Sequence, residues 1–107
     1  MGSKPERVIA RPSTTNNGLV IEVFGAFNLE VHSDFRRAFE YQGQTYSRYA
    51  VNLAQCTALD SAGLGMLLLL RDHTKLPKKD LIITHCSRDV RQVLRYASFD
   101  QIFTIVG

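Results

Sequence analysis

The sequence predicts an α/β fold, with a mixed β-sheet of about four to five strands and helices packed against it. The first observation is that segments with the pattern of strands alternate with segments that have helical spacing. The second is the length of 107 residues, which suffices for one domain with a single core. Alternation of this kind implies βαβ crossovers, so at least part of the sheet should be parallel.

The first half of the chain predicts a strand, a helix and a second strand. Residues 1–17 contain prolines and a cluster of turn residues, with room for a short edge strand near Val8. Residues 19–24 are rich in β-branched and apolar side chains and end at Gly25, as a core strand does. Residues 49–53 have the same character. Between the two strands lies an amphipathic helix, whose apolar positions are Val31, Phe35, Ala38 and Phe39.

The second half predicts two further helices and two further strands. Asp60 or Ser61 can cap a helix that begins at Ser61 and ends near Lys75, shortly before Pro77. The elements that follow are a strand at residues 81–84, a helix at residues 89–97 with Ser87 as its N-cap, and a strand at residues 102–106.

Composition favours a cytoplasmic protein with reduced thiols. The longest apolar stretch, residues 64–70, falls far short of the roughly 18 residues that a membrane span needs. No segment with the pattern of a signal peptide opens the chain. Cys56 and Cys86 form no CxxC pair, and their spacing to the three histidines matches no metal-ligand signature. We therefore expect no metal, no cofactor and no membrane span.

The charge pattern gives little reason to expect a polyanionic partner. The net charge is +3, and no run of five or six like charges is present. Arg88, Arg91 and Arg95 share one face of the third predicted helix. Surface helices commonly have this pattern, and no aromatic-rich nucleic-acid motif accompanies it. We expect no direct binding of nucleic acid.

The segment that carries chemistry is Leu-Asp-Ser-Ala-Gly-Leu-Gly at residues 59–65. It places the hydroxyl of Ser61 at a helix N-terminus, where unpaired N–H groups and the helix dipole favour negative charge such as a phosphate. Gly63 and Gly65 keep the first turn small, so a phosphate, a nucleotide or a partner's backbone could approach closely. The alternative is that Asp60 and Ser61 only cap the helix and the glycines only pack against the sheet.

The residues around this segment resemble the signature of the STAS family, the anti-sigma factor antagonists and their relatives. Asp-Ser-Ala-Gly-Leu-Gly at residues 60–65 carries most of the resemblance, together with Val-Asn-Leu at residues 51–53. Weaker similarity extends over residues 25–28, 87–94 and 99–103. The resemblance covers about residues 18–107, which we interpret as a single STAS domain that follows an N-terminal segment at residues 1–17.

The resemblance implies a partner-switching regulator rather than an enzyme. In the family, the serine that matches Ser61 is phosphorylated by a serine kinase that is also the anti-sigma factor. The unphosphorylated protein binds that kinase, phosphorylation releases it, and a serine phosphatase restores binding. The resemblance therefore predicts phosphorylation of Ser61 in a protein without catalytic residues, for which a monomer is favoured. The partner-binding residues that we predict are Asn28, Asp60, Ser61, Ala62, Gly63, Leu64 and Gly65.

Two positions depart from the family pattern. Asn28 and Asn52 stand where the family often has Asp, at strand ends that we expect near Ser61. Asn keeps much of the shape of Asp but removes its negative charge. Kinase recognition or dependence on the phosphatase should therefore differ in this chain.

Two other functions stay open at the level of sequence. An enzyme that uses Ser61 as a nucleophile would need a positioned base and an oxyanion site, and the segment is not the G-x-S-x-G elbow of hydrolases. STAS domains also serve as non-catalytic subunits of lipid-transport ATPase complexes, of stressosome-like scaffolds or of transporter tails. A phosphorylatable serine in a nearly minimal chain favours the free regulator.

Overall fold

The computed structural model describes residues 7–14 and 16–107. In chain order its elements are β1 (Val8–Pro12), β2 (Gly18–Val23), β3 (Gly25–Phe27), α1 (His32–Phe39), β4 (Arg48–Asn52), β5 (Cys56–Leu59), α2 (Ser61–Thr74), β6 (Leu81–Thr84), α3 (Arg88–Tyr96) and β7 (Thr104–Val106). The main sheet has five strands in the order β1-β2-β4-β6-β7. β1 is an antiparallel edge strand and the other pairs are parallel, which confirms the predicted mixed sheet.

A second sheet, made of β3 and β5, is absent from the sequence-based prediction. β3 follows β2 after a bend at Gly25, whose φ is +81° and favours glycine. β5 follows β4 after a turn, and β3 and β5 pair in parallel. The parallel pair of β2 and β4 is thus continued, beyond a kink, by the pair of β3 and β5. This small sheet leads the chain into α1 and α2.

The helix ends agree with the predicted caps. The side chain of Asp60 accepts a hydrogen bond from the N–H of Gly63 at the start of α2, and the side chain of Ser87 accepts one from Val90 at the start of α3. α2 ends at Thr74 and is followed by Lys75 in the left-handed conformation, with φ of +55°. The third helix covers Arg88–Tyr96, one residue earlier at each end than predicted.

The core lies between the main sheet and the helices. Alternate strand residues such as Ile21, Val51 and Ile83 are fully buried, and they join one cluster with apolar residues of all three helices. The predicted apolar face of α1 is confirmed, because Val31, Phe35, Ala38 and Phe39 all belong to this cluster. Within the described ranges, no helix has both the length and the apolarity that a bilayer crossing requires.

The parallel strands give the main sheet two unlike ends. β2, β4, β6 and β7 point the same way, so α2 and α3 begin beyond the carboxyl ends of the strands and return to the amino ends. We call these the carboxyl end and the amino end of the sheet. α2 has 14 residues. At 1.5 Å per residue it separates Ser61 at the carboxyl end from Thr74 at the amino end by about 20 Å.

Candidate functional site

Ser61 is the first residue of α2, and it is exposed. The N-cap in front of it is Asp60, whose Oδ1 accepts from the N–H of Gly63 at 3.0 Å and whose carbonyl accepts from the N–H of Leu64 at 3.0 Å. Because Asp60 caps the helix, the hydroxyl of Ser61 is not needed for that role. This hydroxyl makes no hydrogen bond to any residue that the structure describes. It is therefore open to a modifying enzyme.

Asn28 lies beside the N-cap of α2. Phe27 in β3 is paired with Leu59 in β5, so the residues that follow them, Asn28 and Asp60, lie side by side at the same end of the small sheet. Neighbouring strands are about 4.8 Å apart. The N–H of Asp60 also points to the carbonyl of Phe27 at 3.5 Å. Asn28 thus lies next to the turn between β5 and α2, where Ser61 is located. We call this turn the corner.

The side chain of Asn28 has a local structural role as well. Its Oδ1 accepts from the N–H of Glu30 at 3.0 Å and caps the short 3₁₀ helix Leu29–Val31. Asn28 and Asp60 therefore each cap the helix that leaves their strand. An Asp at position 28 could make the same cap, so the cap alone does not require Asn.

Asn52 is the last residue of β4, and β5 lies between it and Asp60 along the chain. Its half-buried side chain accepts from the N–H of Ala54 at 2.9 Å and stabilises the turn before β5. Asn52 precedes β5 and Asp60 follows it. At roughly 3.3 Å per residue, β5 itself spans about 10 Å. The pairing of β3 with β5 therefore brings Asn28 to the corner, whereas the length of β5 separates Asn52 from Asp60 along the chain.

The two glycines of the first turn have different surroundings. A Cβ at Gly63 would lie 2.4 Å from the carbonyl oxygen of Phe27 and 2.5 Å from Cδ1 of Leu59. Gly63 is therefore needed for the close packing of α2 against the small sheet. A Cβ at Gly65 would have no neighbour within 4 Å. Of the two, only Gly65 leaves space at the surface for a partner.

The outward face of α2 is apolar where it adjoins Ser61. Helical spacing places Ser61, Gly65 and Leu68 in one row, and Leu64 and Leu69 lie on either side of that row. The side chains of Leu68 and Leu69 are 39% and 43% exposed. The opposite face of the same helix is the one that is buried, through Gly63, Met66, Leu67 and Leu70. A helix that is apolar all round is normally covered on all sides, so this face has the character of a docking surface.

A further exposed apolar side chain follows Asn28. Leu29 is 71% exposed, although it is a large aliphatic residue, and it begins the 3₁₀ helix that Asn28 caps. Leu29 is not among the predicted partner-binding residues. Its signal in the sequence was an apolar residue directly after a strand-end Asn, which is too common a pattern to single it out.

The other groups that could react are the cysteines, Tyr49 and the histidines. Burial raises the pKa of the Cys56 thiol, and burial likewise raises the pKa of Tyr49, so both groups stay protonated at neutral pH. No histidine is hydrogen-bonded to Ser61 in the described ranges. His73 packs on Phe39, with ring centroids 5.0 Å apart, near the other end of α2. Among residues 7–14 and 16–107, no group of three or more His, Cys, Asp or Glu side chains could hold a metal ion.

Solved structures share this fold over most of their length. An anti-sigma factor antagonist from Mycobacterium paratuberculosis has a TM-score of 0.75 and 17% identity, and the match covers 97% of this chain and 89% of that one. The anti-sigma factor antagonist SpoIIAA in its unphosphorylated form has a TM-score of 0.72 and 16% identity, with 94% and 88% covered. A sulfate transporter family protein from Wolinella succinogenes has a TM-score of 0.67 and 13% identity, with 84% and 76% covered. At these identities the similarity shows the fold.

Sequence comparison identifies the family. A STAS-domain containing protein of Pseudomonas aeruginosa strain UCBPP-PA14 is 42% identical over 98 residues, which are 92% of this chain and 97% of that protein. The family described as "Mlab, STAS domain" matches residues 10–107. The matched residues include the corner that carries Ser61, the small sheet beneath it and all of the main sheet except the first two residues of β1. The chain belongs to the STAS domain family.

Proposed function

We propose that this chain is a phosphorylation-controlled anti-sigma factor antagonist in which Ser61 is the switch residue. The observation that carries the proposal is the free, exposed hydroxyl of Ser61 at the start of a helix whose outward face is apolar. Two proteins named as anti-sigma factor antagonists share the fold, which supports the same general role. The partner in this proposal is an anti-sigma factor that is also a serine kinase, and a serine phosphatase reverses the modification.

The unphosphorylated surface is suited to docking. Leu64, Gly65 and Leu68 continue directly from Ser61 along the outward face of α2, and Leu29 adds apolar area beside Asn28. Asp60 and Asn28 supply polar groups at the rim of this surface. A partner that covers these residues would remove apolar area from water and enclose the hydroxyl of Ser61. Gly63 contributes through packing, because it is buried against Phe27.

A phosphate on Ser61 would weaken docking without unfolding the domain. It adds a charge of about −1.5 to −2 at the interface, which must be desolvated when the partner covers it. Within the domain the same charge lies at the helix N-terminus. The N–H groups of Gly63 and Leu64 are bonded to Asp60, so those of Ser61 and Ala62 are left to receive phosphate oxygens. The carboxylate of Asp60 repels the phosphate, and this repulsion partly offsets the stabilisation of the phosphate by the helix N-terminus.

The first test is the site of phosphorylation. Incubation with the kinase partner, captured from the native cell with a Ser61→Ala bait, should add one phosphate to the wild-type protein at Ser61. Mass spectrometry locates the phosphate. The site assignment is wrong if the phosphate is found on another serine while Ser61 stays unmodified. In the part of the chain that the structure describes, the other exposed serines are Ser33, Ser47, Ser87 and Ser98.

The second test is the binding of charge variants to the same partner. Ser61→Asp should weaken the complex by about tenfold to a thousandfold, roughly 1.4 to 4 kcal/mol, whereas Ser61→Ala should bind as the wild type does. Ser98→Asp is a matched control, because it adds the same charge at an exposed serine at the amino end of the sheet. Its φ of 61° is tolerated by Asp. Equal affinities of Ser61→Asp and Ser98→Asp in titration calorimetry would rule out the switch.

The second candidate function is a non-catalytic STAS subunit of a lipid-transport or scaffold complex. The family description "Mlab, STAS domain" and the shared fold of a sulfate transporter family protein favour it. In such a complex the outward face of α2 would be covered permanently, and the hydroxyl of Ser61 would be dispensable. Unchanged regulation in cells that carry only Ser61→Ala would support this candidate against the switch.

A further inference from the structure

The basic side chains fall into an ion-paired group and an unpaired group. In the described ranges, the ion pairs to carboxylates are made by Arg7, Arg11, Arg36, Arg37 and Arg48. No Lys or Arg from residue 71 onward forms an ion pair to any described residue. The basic residues of this second group are Arg71, Lys75, Lys78, Lys79, Arg88, Arg91 and Arg95. Uncompensated positive charge is therefore concentrated in the last third of the chain.

Most of this unpaired charge lies at the amino end of the sheet. Arg71 and Lys75 are in the last turn and at the C-cap of α2, and Arg95 is in the last turn of α3. Lys78 and Lys79 are the first two residues of the short 3₁₀ helix Lys78–Asp80, which precedes β6, and its Asp80 is paired with Arg48. Since α2 and α3 both end at the amino end, these residues surround one pole of the molecule. We call these five residues, Arg71, Lys75, Lys78, Lys79 and Arg95, the basic pole.

Helix dipoles account for only part of the basic pole. A cation near a helix C-terminus is favourable, which is sufficient reason for Arg71, Lys75 and Arg95. Lys78 and Lys79 follow Pro77, in the connection between α2 and β6. They belong to a 3₁₀ helix of only three residues and not to the C-terminus of an α-helix. Both are exposed. The charges of these two lysines form no ion pair to a described residue and complement no α-helix dipole.

The surface of the basic pole is indented rather than smooth. An open cleft of about 380 Å³ is lined by Lys78, Arg95, Asp100, Phe103, Thr104 and Ile105. A second cleft of about 400 Å³ is lined by Arg71, Asp72, Lys75 and Leu76. The hydroxyl of Thr104 in β7 donates to the carbonyl of Lys78 at 2.7 Å. This bond holds the segment between α2 and β6 against β7. Tyr96, which is 85% exposed, follows Arg95 at the same end.

We propose that the basic pole docks an acidic segment of a protein partner, and that it does so independently of phosphorylation at Ser61. The positive charge selects an acidic ligand. Asp72 and Asp100 stand among the basic residues, so an unbroken array of phosphates would meet repulsion at two points of the surface. A peptide can place carboxylates against the basic residues and other side chains against these two. Tyr96 and Leu76 offer the aromatic and apolar contacts that are frequent in protein interfaces.

Distance separates this surface from the switch. Ser61 and the end of α2 are about 20 Å apart by helix length. The Debye length at physiological ionic strength is about 8 Å, so a phosphate on Ser61 is largely screened from the basic pole. The domain would thus present two surfaces, one controlled by phosphorylation and one constant.

The test uses fluorescence anisotropy with a labelled, glutamate-rich peptide that contains leucine and tyrosine, at low salt. Lys78→Ala/Lys79→Ala should weaken binding by about tenfold, and added salt should weaken binding to the wild type. Arg88→Ala/Arg91→Ala is the matched control, because it removes the same number of charges from unpaired arginines in the first turn of α3, at the carboxyl end of the sheet. This control and Ser61→Asp should each stay within about twofold of the wild type. Thermal melting should show that both double variants are folded.

Four results would overturn the proposal. The first is no binding of the peptide to the wild type at low salt. The second is an equal loss in both double variants, because net charge alone would then explain it. The third is a loss in Ser61→Asp as large as that in Lys78→Ala/Lys79→Ala. The fourth is tighter binding of a single-stranded DNA oligonucleotide or of phosphatidylserine vesicles than of the peptide. Failure of the Ser61 switch affects none of these measurements, so the two proposals fail separately.

Discussion

The two ends of α2 differ in what their residues do. At its start, residues that stabilise the fold lie among those of the proposed binding surface, whereas at its end the proposed binding residues have no such structural role. At the start of the helix, Asp60 is the cap, Gly63 is packed on a backbone carbonyl, and Ser61 is the free hydroxyl between them. At the other end, Lys75 and the lysines that follow it are exposed and make no ion pair to a described residue. A substitution near Ser61 therefore risks the fold, whereas a substitution at the basic pole changes charge with little effect on packing.

The largest effect should come from Gly63→Ala. The added Cβ would lie 2.4 Å from the carbonyl oxygen of Phe27, which is backbone and cannot rotate away. α2 must then shift relative to the small sheet, and overpacking of this kind costs about 3 kcal/mol in the free energy of unfolding. Chemical denaturation followed by circular dichroism measures it.

Gly65→Ala is the control, since its Cβ would meet no atom within 4 Å. Alanine is the better helix former, so this variant should gain roughly 0.5 to 1 kcal/mol. If both variants lose stability to the same extent, the close contact at Gly63 does not determine the packing of α2.

Substitutions at the two caps of α2 should change the free energy of unfolding by smaller amounts and in opposite directions. Asp60→Ala removes the acceptor for the N–H of Gly63 and should cost about 1 kcal/mol, whereas Asp60→Asn should keep most of the stability. Lys75→Gly should gain about 1 kcal/mol, because Lys75 has a φ of +55° that glycine adopts without strain. Urea denaturation of the three variants measures these differences. A loss of stability in Lys75→Gly would mean that its side chain contributes more than its backbone costs.

The sequence predicted the elements whose signals are local. The start of α2 at Ser61, the strand at residues 81–84 and the cap at Ser87 follow from apolar periodicity and capping preferences, which act over a few residues. The small sheet could not be predicted in this way. β3 has three residues and β5 has four, and β5 is buried only at its two ends, so neither shows strand alternation.

The sequence named the residues of the candidate site but did not predict how they are arranged. The residue pattern singled out Ser61, and the capping preference of Asp predicted that Asp60 could serve as the N-cap. That Asn28 adjoins the corner depends on the register of β3 with β5, which is a long-range pairing. The different roles of Gly63 and Gly65 depend on what lies beneath each of them. Two glycines that are two positions apart in a sequence carry no sign of this difference.

The smallest effect that we predict concerns Asn28 and the proposed phosphate. A carboxylate at position 28 would lie beside Asp60, within several ångströms of a phosphate on Ser61, and would repel it. In this partly exposed corner the repulsion should amount to about 0.5 to 1 kcal/mol. Asn28→Asp should therefore make the change in melting temperature on phosphorylation less favourable, and the difference should shrink as salt is added.

Asn52→Asp is the matched control, because Asn52 precedes β5 and is about a strand's length from the corner. Thermal melting of both variants and the wild type, with and without the phosphate, measures the shift. An equal shift in all three proteins at low salt would mean that position 28 does not sense the phosphate. A larger change in Asn52→Asp than in Asn28→Asp would contradict the placement of the corner that the pairing of β3 with β5 implies.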